Sequence, residues 1–342
     1  MAPIISALSK CFDSLRSDMP IDPVIRDWLQ TAPSFLPPDT GLSVPERRSR
    51  MKAAYVAAMA ELVGADPRLA AVRVEDATVP YGSRGVRVRV YRPPLPDGDS
   101  VPAFVHLFGG GWWQSTFDGP DMIELCRRTA LDAGVIVVQV DYALAPERPY
   151  PAALEEAYAV LGWLAGGVDG LPVDPGAIAV GGVSAGANLA AALCRLARDR
   201  GGPAIALQVL EVPALDATLE LYDVSVLSAL GSGDDSRPAP SLVEAWDGYV
   251  GSADRADPYV SPVRAADFAG LPAALILTAE FDPLWREGRA YGDALADAGV
   301  RVVSVTYGGQ IHGAPSLSAL SASSRAWRAQ VSWALRTLPG GW

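Results

Sequence analysis

Apolar runs of strand length alternate with helical patterns along most of the chain. Six such runs follow one another after residue 100, and each carries apolar residues on both faces of the strand that it predicts. Strands of this kind, joined by helices, indicate a mainly parallel sheet that is covered by helices on both sides. The predicted strands are 103–108, 135–142, 177–183, 204–212, 273–279 and 302–307, and the predicted helices lie near 121–133, 152–164, 185–198, 285–298 and 321–335.

Two parts of the chain depart from this alternation. Residues 71–80 and 86–91, joined by the turn "YGSRG", predict an antiparallel hairpin. Residues 1–69 are typical of helices interrupted at "PSFLPPDTG", and residues 217–256 combine helical pieces with the loop "GSGDDSRPAP". We therefore expect one α/β domain with a helical cap made from two segments. The predicted division is an N-terminal cap segment at 1–69, the α/β domain at 70–216 and 257–342, and a cap insertion at 217–256.

One helix in the N-terminal segment has clear limits. Ser43 and Glu46 have the spacing of a capping box, residues 51–62 carry apolar side chains at helical spacing, and Gly64 supplies the stop. The opening stretch "MAPIISALSKCFDSLRSDMP" lacks a basic n-region, so we interpret it as an amphipathic helix rather than a signal peptide. No apolar stretch approaches the roughly 20 residues needed to cross a bilayer. We expect a cytoplasmic protein without a membrane segment.

Composition excludes several classes of function. The 342 residues carry a formal net charge of −11, which argues against a nucleic-acid partner and against an anionic membrane surface. Three cysteines, Cys11, Cys126 and Cys194, show no paired spacing and no CxxC motif. This sparse set fits a reducing compartment and makes a cysteine nucleophile or a metal cluster improbable. We expect neither a metal nor another cofactor.

A candidate nucleophile follows the predicted strand 177–183. In "GGVSAGANLAAALCRL", Ser184 occupies the centre of a G-x-S-x-G pattern between that strand and a helix, which is the context that gives the pattern meaning. The tight turn requires small neighbours two residues away, and Gly182 and Gly186 meet that requirement. The helix N-terminus favours negative charge developing beside Ser184. The alternative is a small-residue turn with an incidental serine.

A serine hydroxyl needs a base, and the base needs an orienting carboxylate. The chain has only two histidines. His312 lies in the glycine-rich stretch after the last predicted strand, where it could reach the carboxyl edge of the sheet, whereas His106 lies inside a strand and is expected to pack under a helix. Asp282 is the preferred carboxylate and Glu280 the reserve, although either could simply cap the following helix. The order Ser184, Asp282, His312 is that of α/β-hydrolases.

The stretch "VHLFGGGWW" supplies three glycines at the end of an apolar run. Acyl transfer requires backbone N–H donors directed at the developing oxyanion. Ala185, directly after the candidate nucleophile, is expected to supply one donor, and the loop beginning at Gly109 and Gly110 the others, because glycine lets the backbone approach a substrate closely. The alternative is that the three glycines form only a flexible turn.

Together these motifs resemble the hormone-sensitive-lipase-like branch (bacterial family IV type) of α/β-hydrolase esterases. "LFGGGWW" is similar to the family's HGGGW/F loop, "DYALAPERPYPAALEEA" to its D-Y-R-L-A-P-E segment, "GVSAG" to its elbow, "EFDPLWREG" to its D-P-L-x-D-E-G block and "IHGA" to its H-G-F. The likeness runs from about residue 101 to the end, except for 217–256. It implies an α/β-hydrolase fold and carboxylic-ester hydrolysis, with Ser184, Asp282 and His312 as the triad. Gly109, Gly110 and Ala185 are the oxyanion donors that it implies.

The chain departs from the family at several positions. Phe108 stands where the family has the loop histidine, which is not the catalytic base but is expected to brace the glycine loop by a hydrogen bond. Val183 replaces an Asp or Thr, Ala143 an arginine and Ala314 an aromatic residue. Phe108 and Val183 make the site more apolar than is usual in the family. The sequence does not separate a natural variant from an engineered His→Phe change, and we hypothesise that the loop still works as an oxyanion hole.

Four residues are candidates for substrate contact, namely Phe108, Trp112, Trp113 and Val183. The alternative for the two tryptophans is that one or both pack in the core. The expected activity is hydrolysis of esters with short to medium acyl chains, or of small aromatic esters, through an acyl-enzyme on Ser184. Two alternatives remain: acyl transfer or another biosynthetic step on the same scaffold, and a non-catalytic receptor for a small molecule. A homodimer through the last helix and strand is suggested by analogy alone.

Overall fold

Eight strands form one sheet in the order β1-β2-β4-β3-β5-β6-β7-β8. The computed structural model of the protein describes residues 20–31, 41–64, 66–95, 100–230 and 236–338. The β1–β2 and β2–β4 pairs are antiparallel, and the remaining neighbours are parallel. The predicted hairpin and the predicted mainly parallel sheet are therefore confirmed. The strands are β1 Arg73–Val79, β2 Val86–Arg92, β3 Val101–Leu107, β4 Ile136–Val140, β5 Val173–Val183, β6 Leu207–Glu211, β7 Ala273–Phe281 and β8 Val302–Ile311.

Helices cover the sheet because the central strands are apolar on both faces. Every residue of β4 and of β6 is buried, as expected for parallel strands enclosed between two helical layers. The helices of the described residues are α1 Pro23–Thr31, α2 Val44–Leu62, α3 Pro120–Ala133, α4 Ala152–Ala165, α5 Ala185–Asp199, α6 Pro240–Val250, α7 Trp285–Asp297 and α8 Ala322–Arg336. None of the helices in these ranges has the length and apolar content that crossing a bilayer requires.

Three strand limits differ from the predicted ones by more than two positions. β5 begins at Val173, four positions early, because Val173 pairs with Val101 beyond an irregularity in the β3–β5 ladder. β6 begins only at Leu207. β8 continues to Ile311, which pairs with Phe281 after a register shift. The last extension is the one that matters for function, since it carries the chain directly to His312.

The N-terminal segment packs over the end of β8. α2 begins with the predicted capping box, in which the Ser43 backbone N–H donates to Glu46 at 2.9 Å. Buried residues of α1 and α2 form a small apolar cluster with Ile311 and Leu317, which precede and follow His312 in the chain. The predicted amphipathic helix at the start of the chain and the stretch 32–40 lie outside the described residues.

The second predicted cap segment contains α6. Trp246 and Tyr249 of this helix are buried, and their rings pack against that of Trp112 with centroids 4.2 Å and 4.5 Å away. Gly111 lies under the same helix, because a Cβ there would come within 3.2 Å of the Ala245 methyl. α6 therefore packs on the loop that contains Gly109, Gly110 and Gly111.

Candidate active site

Ser184 forms a sharp turn between β5 and α5. Its φ of 56° and ψ of −116° lie outside the regions that residues with a side chain ordinarily occupy. A Cβ at Gly182 would approach the Leu107 carbonyl oxygen to 2.2 Å, and one at Gly186 would approach the same atom to 2.0 Å. The expectation that both neighbours must lack side chains is therefore confirmed. The turn presents the Ser184 side chain at the carboxyl edge of the sheet.

Three distant side chains meet at that edge. Ser184 Oγ lies 2.8 Å from Nε2 of His312, and Nδ1 of His312 lies 2.8 Å from Oδ2 of Asp282. A carboxylate can only accept, so Nδ1 carries the ring proton and Nε2 is left to accept the Ser184 hydroxyl proton. β5, β7 and β8 each deliver one of these residues just past their last position, as parallel strands of one sheet allow.

Asp282 is fixed by a second contact. Its Oδ1 accepts the backbone N–H of Leu284, directly before α7, at 3.0 Å, and the side chain is 1% exposed. One carboxylate oxygen thus holds the backbone just before α7, and the other holds the imidazole. Glu280, the reserve candidate, points elsewhere: its Oε2 accepts the Gly309 N–H at 2.8 Å.

His106 has the structural place expected of it. It is fully buried in β3, with Nδ1 3.8 Å from the Cys126 sulfur of α3. Burial, and secondly the positive charge of Arg328, lowers the pKa of His106 to about 3. The ring is therefore neutral under ordinary conditions.

Two opposing effects act on the pKa of His312. Burial lowers its pKa, but the charge and hydrogen bond of Asp282 raise it, and the net result is a pKa above the ordinary value of 6.5. A histidine whose pKa is raised in this way is suited to accept a proton near neutral pH. The Asp282 carboxylate would also stabilise the imidazolium that forms when Ser184 loses its proton.

The glycine loop lies beside Ser184. A Cβ at Gly109 would be 3.6 Å from that of Ser184, and Gly110 has a φ of 126° that excludes ordinary side chains. Among the hydrogen bonds of the described residues, none uses the backbone N–H of Gly109 or Gly110 as a donor. The N–H of Ala185, the first residue of α5, has no acceptor within its helix. Within the described residues these three N–H groups thus have no backbone acceptor, and two of them, those of Gly109 and Ala185, belong to residues next to Ser184.

Phe108 and Trp112 are packing residues rather than open walls of a pocket. Phe108 is 0% exposed, and its ring stacks on that of Tyr142 at 4.2 Å. Trp112 is 1% exposed in the cluster with α6. Contrary to the expectation of substrate contact, neither has a free ring face, so for Trp112 the core alternative describes the position. Trp113 and Val183 are half-buried, and Val183 adjoins Ser184 in the chain.

Two hydroxyl groups that sequence reasoning did not single out contact the loop. Tyr142 donates to the Phe108 carbonyl oxygen at 2.7 Å, and Thr116 donates to that of Gly109 at 3.3 Å. The signal available was only that Tyr142, in "DYALAPE", ends the predicted strand 135–142; the contact itself depends on the pairing of β3 with β4. Within the described ranges, no group of three or more His, Cys, Asp or Glu side chains is arranged to hold a metal ion.

Comparison with known proteins agrees with this arrangement. A family model described as the alpha/beta hydrolase fold matches residues 104–316. Carboxylesterase NlhH of Mycobacterium tuberculosis is 37% identical over 305 residues, which cover 86% of this chain and 88% of that protein. Carboxylic ester hydrolase LipN of the same organism is 38% identical over 273 residues, covering 78% and 70%. The solved hyperthermophilic esterase of the archaeon Pyrobaculum calidifontis has a TM-score of 0.80 at 36% identity, covering 94% of this chain and 99% of that one. The chain therefore belongs to the alpha/beta hydrolase family, in its hormone-sensitive-lipase-like esterase branch.

Proposed function

We propose that the protein is a serine carboxylesterase that works through an acyl-enzyme on Ser184. The observation that supports the proposal most directly is the unbroken chain of hydrogen bonds from Ser184 through His312 to Asp282, with both distances at 2.8 Å. The names of the relatives, carboxylesterase and carboxylic ester hydrolase, agree with it.

The reaction follows from the positions of these groups. Nε2 of His312 takes the hydroxyl proton as Ser184 Oγ attacks the ester carbonyl carbon, and the same ring then gives that proton to the leaving alcohol. Water, activated by His312 in turn, hydrolyses the acyl group from Ser184. The N–H groups of Gly109, Gly110 and Ala185 are the proposed donors to the carbonyl oxygen while it carries negative charge.

The proposed substrates are esters of short to medium acyl chains and small aromatic esters. The half-buried Val183 beside Ser184 gives the site an apolar neighbour where the family has Asp or Thr. We propose that the cap over the site is formed by the segments 1–69 and 217–256, and that these segments set the choice of acyl group. The packing of α1 and α2 against Ile311 and Leu317, which lie close to His312 in the chain, supports this assignment.

A series of p-nitrophenyl esters from acetate to dodecanoate tests the proposal. Ser184→Ala should abolish turnover, whereas Ser83→Ala, an exposed serine in the β1–β2 turn, should leave it unchanged. Turnover that survives Ser184→Ala would refute the role of this serine. If a fluorophosphonate labels Ser184 but no ester is hydrolysed, the scaffold serves acyl transfer or another reaction instead.

A further inference from the structure

Three successive carbonyl groups at the glycine loop (Gly109 to Gly111, with Phe108 before it) each accept one hydrogen bond. Phe108 accepts from the Tyr142 hydroxyl at 2.7 Å, Gly109 from the Thr116 hydroxyl at 3.3 Å, and Gly110 from the backbone N–H of Gln114 at 3.0 Å. The first two donors are side chains, so a substitution can remove them one at a time.

Peptide geometry links each of these carbonyls to an N–H of the proposed oxyanion hole. The C=O of one residue and the N–H of the next belong to one planar group and point in opposite directions when the bond is trans. In the described ranges the cis bonds are Ala145–Pro146 and Tyr150–Pro151, so the loop peptides are trans. Fixing the Phe108 carbonyl therefore fixes the direction of the Gly109 N–H, and fixing the Gly109 carbonyl fixes that of the Gly110 N–H.

We propose that Tyr142 and Thr116 are positioning residues of the oxyanion hole, each setting the direction of one donor N–H through the carbonyl on the other side of the same peptide. The inference rests on the proposed function. It supplies this chain with the brace that the family is expected to obtain from its loop histidine and that Phe108 cannot provide.

The surroundings of both hydroxyls suit this role. Tyr142 is 2% exposed, and the face of its ring is covered by that of Phe108, so the phenol cannot turn to water. Burial raises the pKa of Tyr142 far above its usual range, and the hydroxyl stays a donor at every working pH. Thr116 is also buried, two positions after Gln114, whose backbone N–H closes a turn on the Gly110 carbonyl oxygen. The two braces therefore act on successive peptides from different parts of the chain.

The competing explanation is that Tyr142 and Thr116 only pack the core. Tyr142→Phe keeps the stacked ring and removes only the hydroxyl, and Thr116→Val keeps the side-chain shape in the same way. A packing role predicts little change in catalysis from either. A positioning role predicts a fall in kcat with KM nearly unchanged, because misdirected N–H groups weaken binding of the transition state rather than of the substrate.

The experiment compares kcat and KM for p-nitrophenyl acetate, together with the rate at which a p-nitrophenyl phosphonate labels Ser184. We expect kcat to fall by about 10-fold to 100-fold in Tyr142→Phe and in Thr116→Val, below the loss of about 10²–10³ that removal of a whole oxyanion donor causes. KM should change by less than about 2-fold, and Thr116→Ser should recover most of the Thr116→Val loss. Tyr291→Phe, which removes a buried phenol bonded to Gln208 in the core, should leave kcat unchanged.

The outcomes separate this inference from the proposed function. If the parent hydrolyses the ester and Ser184→Ala does not, but both hydroxyl variants keep the parental kcat, the positioning role is refuted and the esterase stands. If the parent labels with the phosphonate without hydrolysing the ester, slower labelling of the two variants supports the positioning role and equal labelling refutes it. A parent that is neither labelled nor active refutes both. Thr116→Val decides the matter alone if Tyr142→Phe does not fold.

Discussion

Ser184 and His312 stand 128 positions apart in the chain, yet Oγ of the first lies 2.8 Å from Nε2 of the second. The sheet order explains the meeting. β5, β6, β7 and β8 are consecutive parallel neighbours, so the residues that follow β5 and β8 reach the same edge, with Asp282 arriving after β7. The hydrogen-bonded chain is thus a consequence of strand order rather than of any local sequence.

The acidic limb of the pH profile should report His312. The base must be neutral to accept the Ser184 proton, and the pKa of His312 is raised above 6.5, chiefly through Asp282, against the opposing effect of burial. As pH falls through that raised pKa, the ring gains a proton and kcat/KM falls; above it, kcat/KM reaches a plateau. A pH series of kcat/KM, which reports groups of the free enzyme, should give a midpoint above 6.5. A midpoint below 6.5 would contradict the assignment.

Removal of the Asp282 charge should slow the enzyme and move the same limb. In Asp282→Asn, the amide can present an N–H to His312 and favour the unproductive tautomer, and we expect a loss of about 10⁴-fold in kcat. The acidic limb should move to lower pH, because burial then acts on the ring without the carboxylate.

Glu280→Gln is the matched control for this change. The amide oxygen can still accept the Gly309 N–H that Glu280 accepts at 2.8 Å, so kcat should stay within about 3-fold of the parent, below the 10-fold change that 1.36 kcal/mol produces. A larger loss in Glu280→Gln than in Asp282→Asn would reverse the roles of the two acids.

The sharp turn at Ser184 should not tolerate a methyl group at position 186. A Cβ at Gly186 would lie 2.0 Å from the Leu107 carbonyl oxygen and 2.5 Å from that of Phe108, so two stretches of backbone would have to separate. Gly186→Ala should cost about 3 kcal/mol in the free energy of unfolding and remove activity. Gly162→Ala, in α4 with no atom within 4 Å of the new Cβ, should be neutral or gain up to about 1 kcal/mol. Urea unfolding measures both, and equal stability of the two variants would refute the argument.

The sequence sufficed for the strands, the hairpin and the identity of the residues that meet at the sheet edge. Apolar runs between helical segments place β3 to β8, and burial on both faces explains the continuous apolar runs of the central strands. The pattern G-x-S-x-G requires small residues at Gly182 and Gly186 for reasons of space that the structure bears out. With two histidines in the chain, and one of them inside a strand, the elimination that favours His312 depends on little else.

Contacts that depend on packing were beyond the sequence. Nothing in the pattern places the Tyr142 hydroxyl against the Phe108 carbonyl, since that contact requires β3 and β4 to be neighbours in the sheet. Periodicity likewise does not say that Trp112 packs under α6, because the loop and that helix are far apart in the chain. The sequence predicts the end of β8 four residues early, because Gly308 and Gly309 are unusual in a strand.

The glycine loop should work without a histidine at position 108. Phe108 is buried between the rings of Tyr142 and Phe117, and the Arg87 guanidinium lies 4.5 Å from the centre of the Phe117 ring. Phe108→His places a polar ring in this apolar space and should cost about 2 kcal/mol or more in the free energy of unfolding. We expect no gain in kcat on p-nitrophenyl acetate, because the carbonyl of residue 108 is already held by Tyr142.

Phe108→Leu serves as the control for stability, since it keeps an apolar side chain and should lose less than the histidine variant. If the parent shows no turnover and Phe108→His confers it, the loop of the parent is defective and the brace by Tyr142 is insufficient.

A buried ion pair, Glu211 with Arg328, adjoins the sharp turn at Ser184. Glu211 accepts the Ser184 backbone N–H through its carbonyl oxygen at 2.9 Å, and its carboxylate accepts from Trp327 at 2.7 Å and from Arg328 at 3.1 Å. The side chains of Glu211 and Arg328 are 1% and 7% exposed. Arg328→Met leaves a buried carboxylate without its counter-charge and should cost about 3–5 kcal/mol in the free energy of unfolding.

The double variant Glu211→Gln with Arg328→Met should be more stable than Arg328→Met alone, since the amide oxygen still accepts from Trp327 and no charge is left uncompensated. Arg289→Met, which breaks an exposed pair with Asp293 at 3.3 Å, should cost at most about 0.5 kcal/mol. Urea unfolding of the four proteins forms the comparison. If the double variant loses as much as Arg328→Met, the cost comes from lost packing around residue 328 rather than from the unpaired charge.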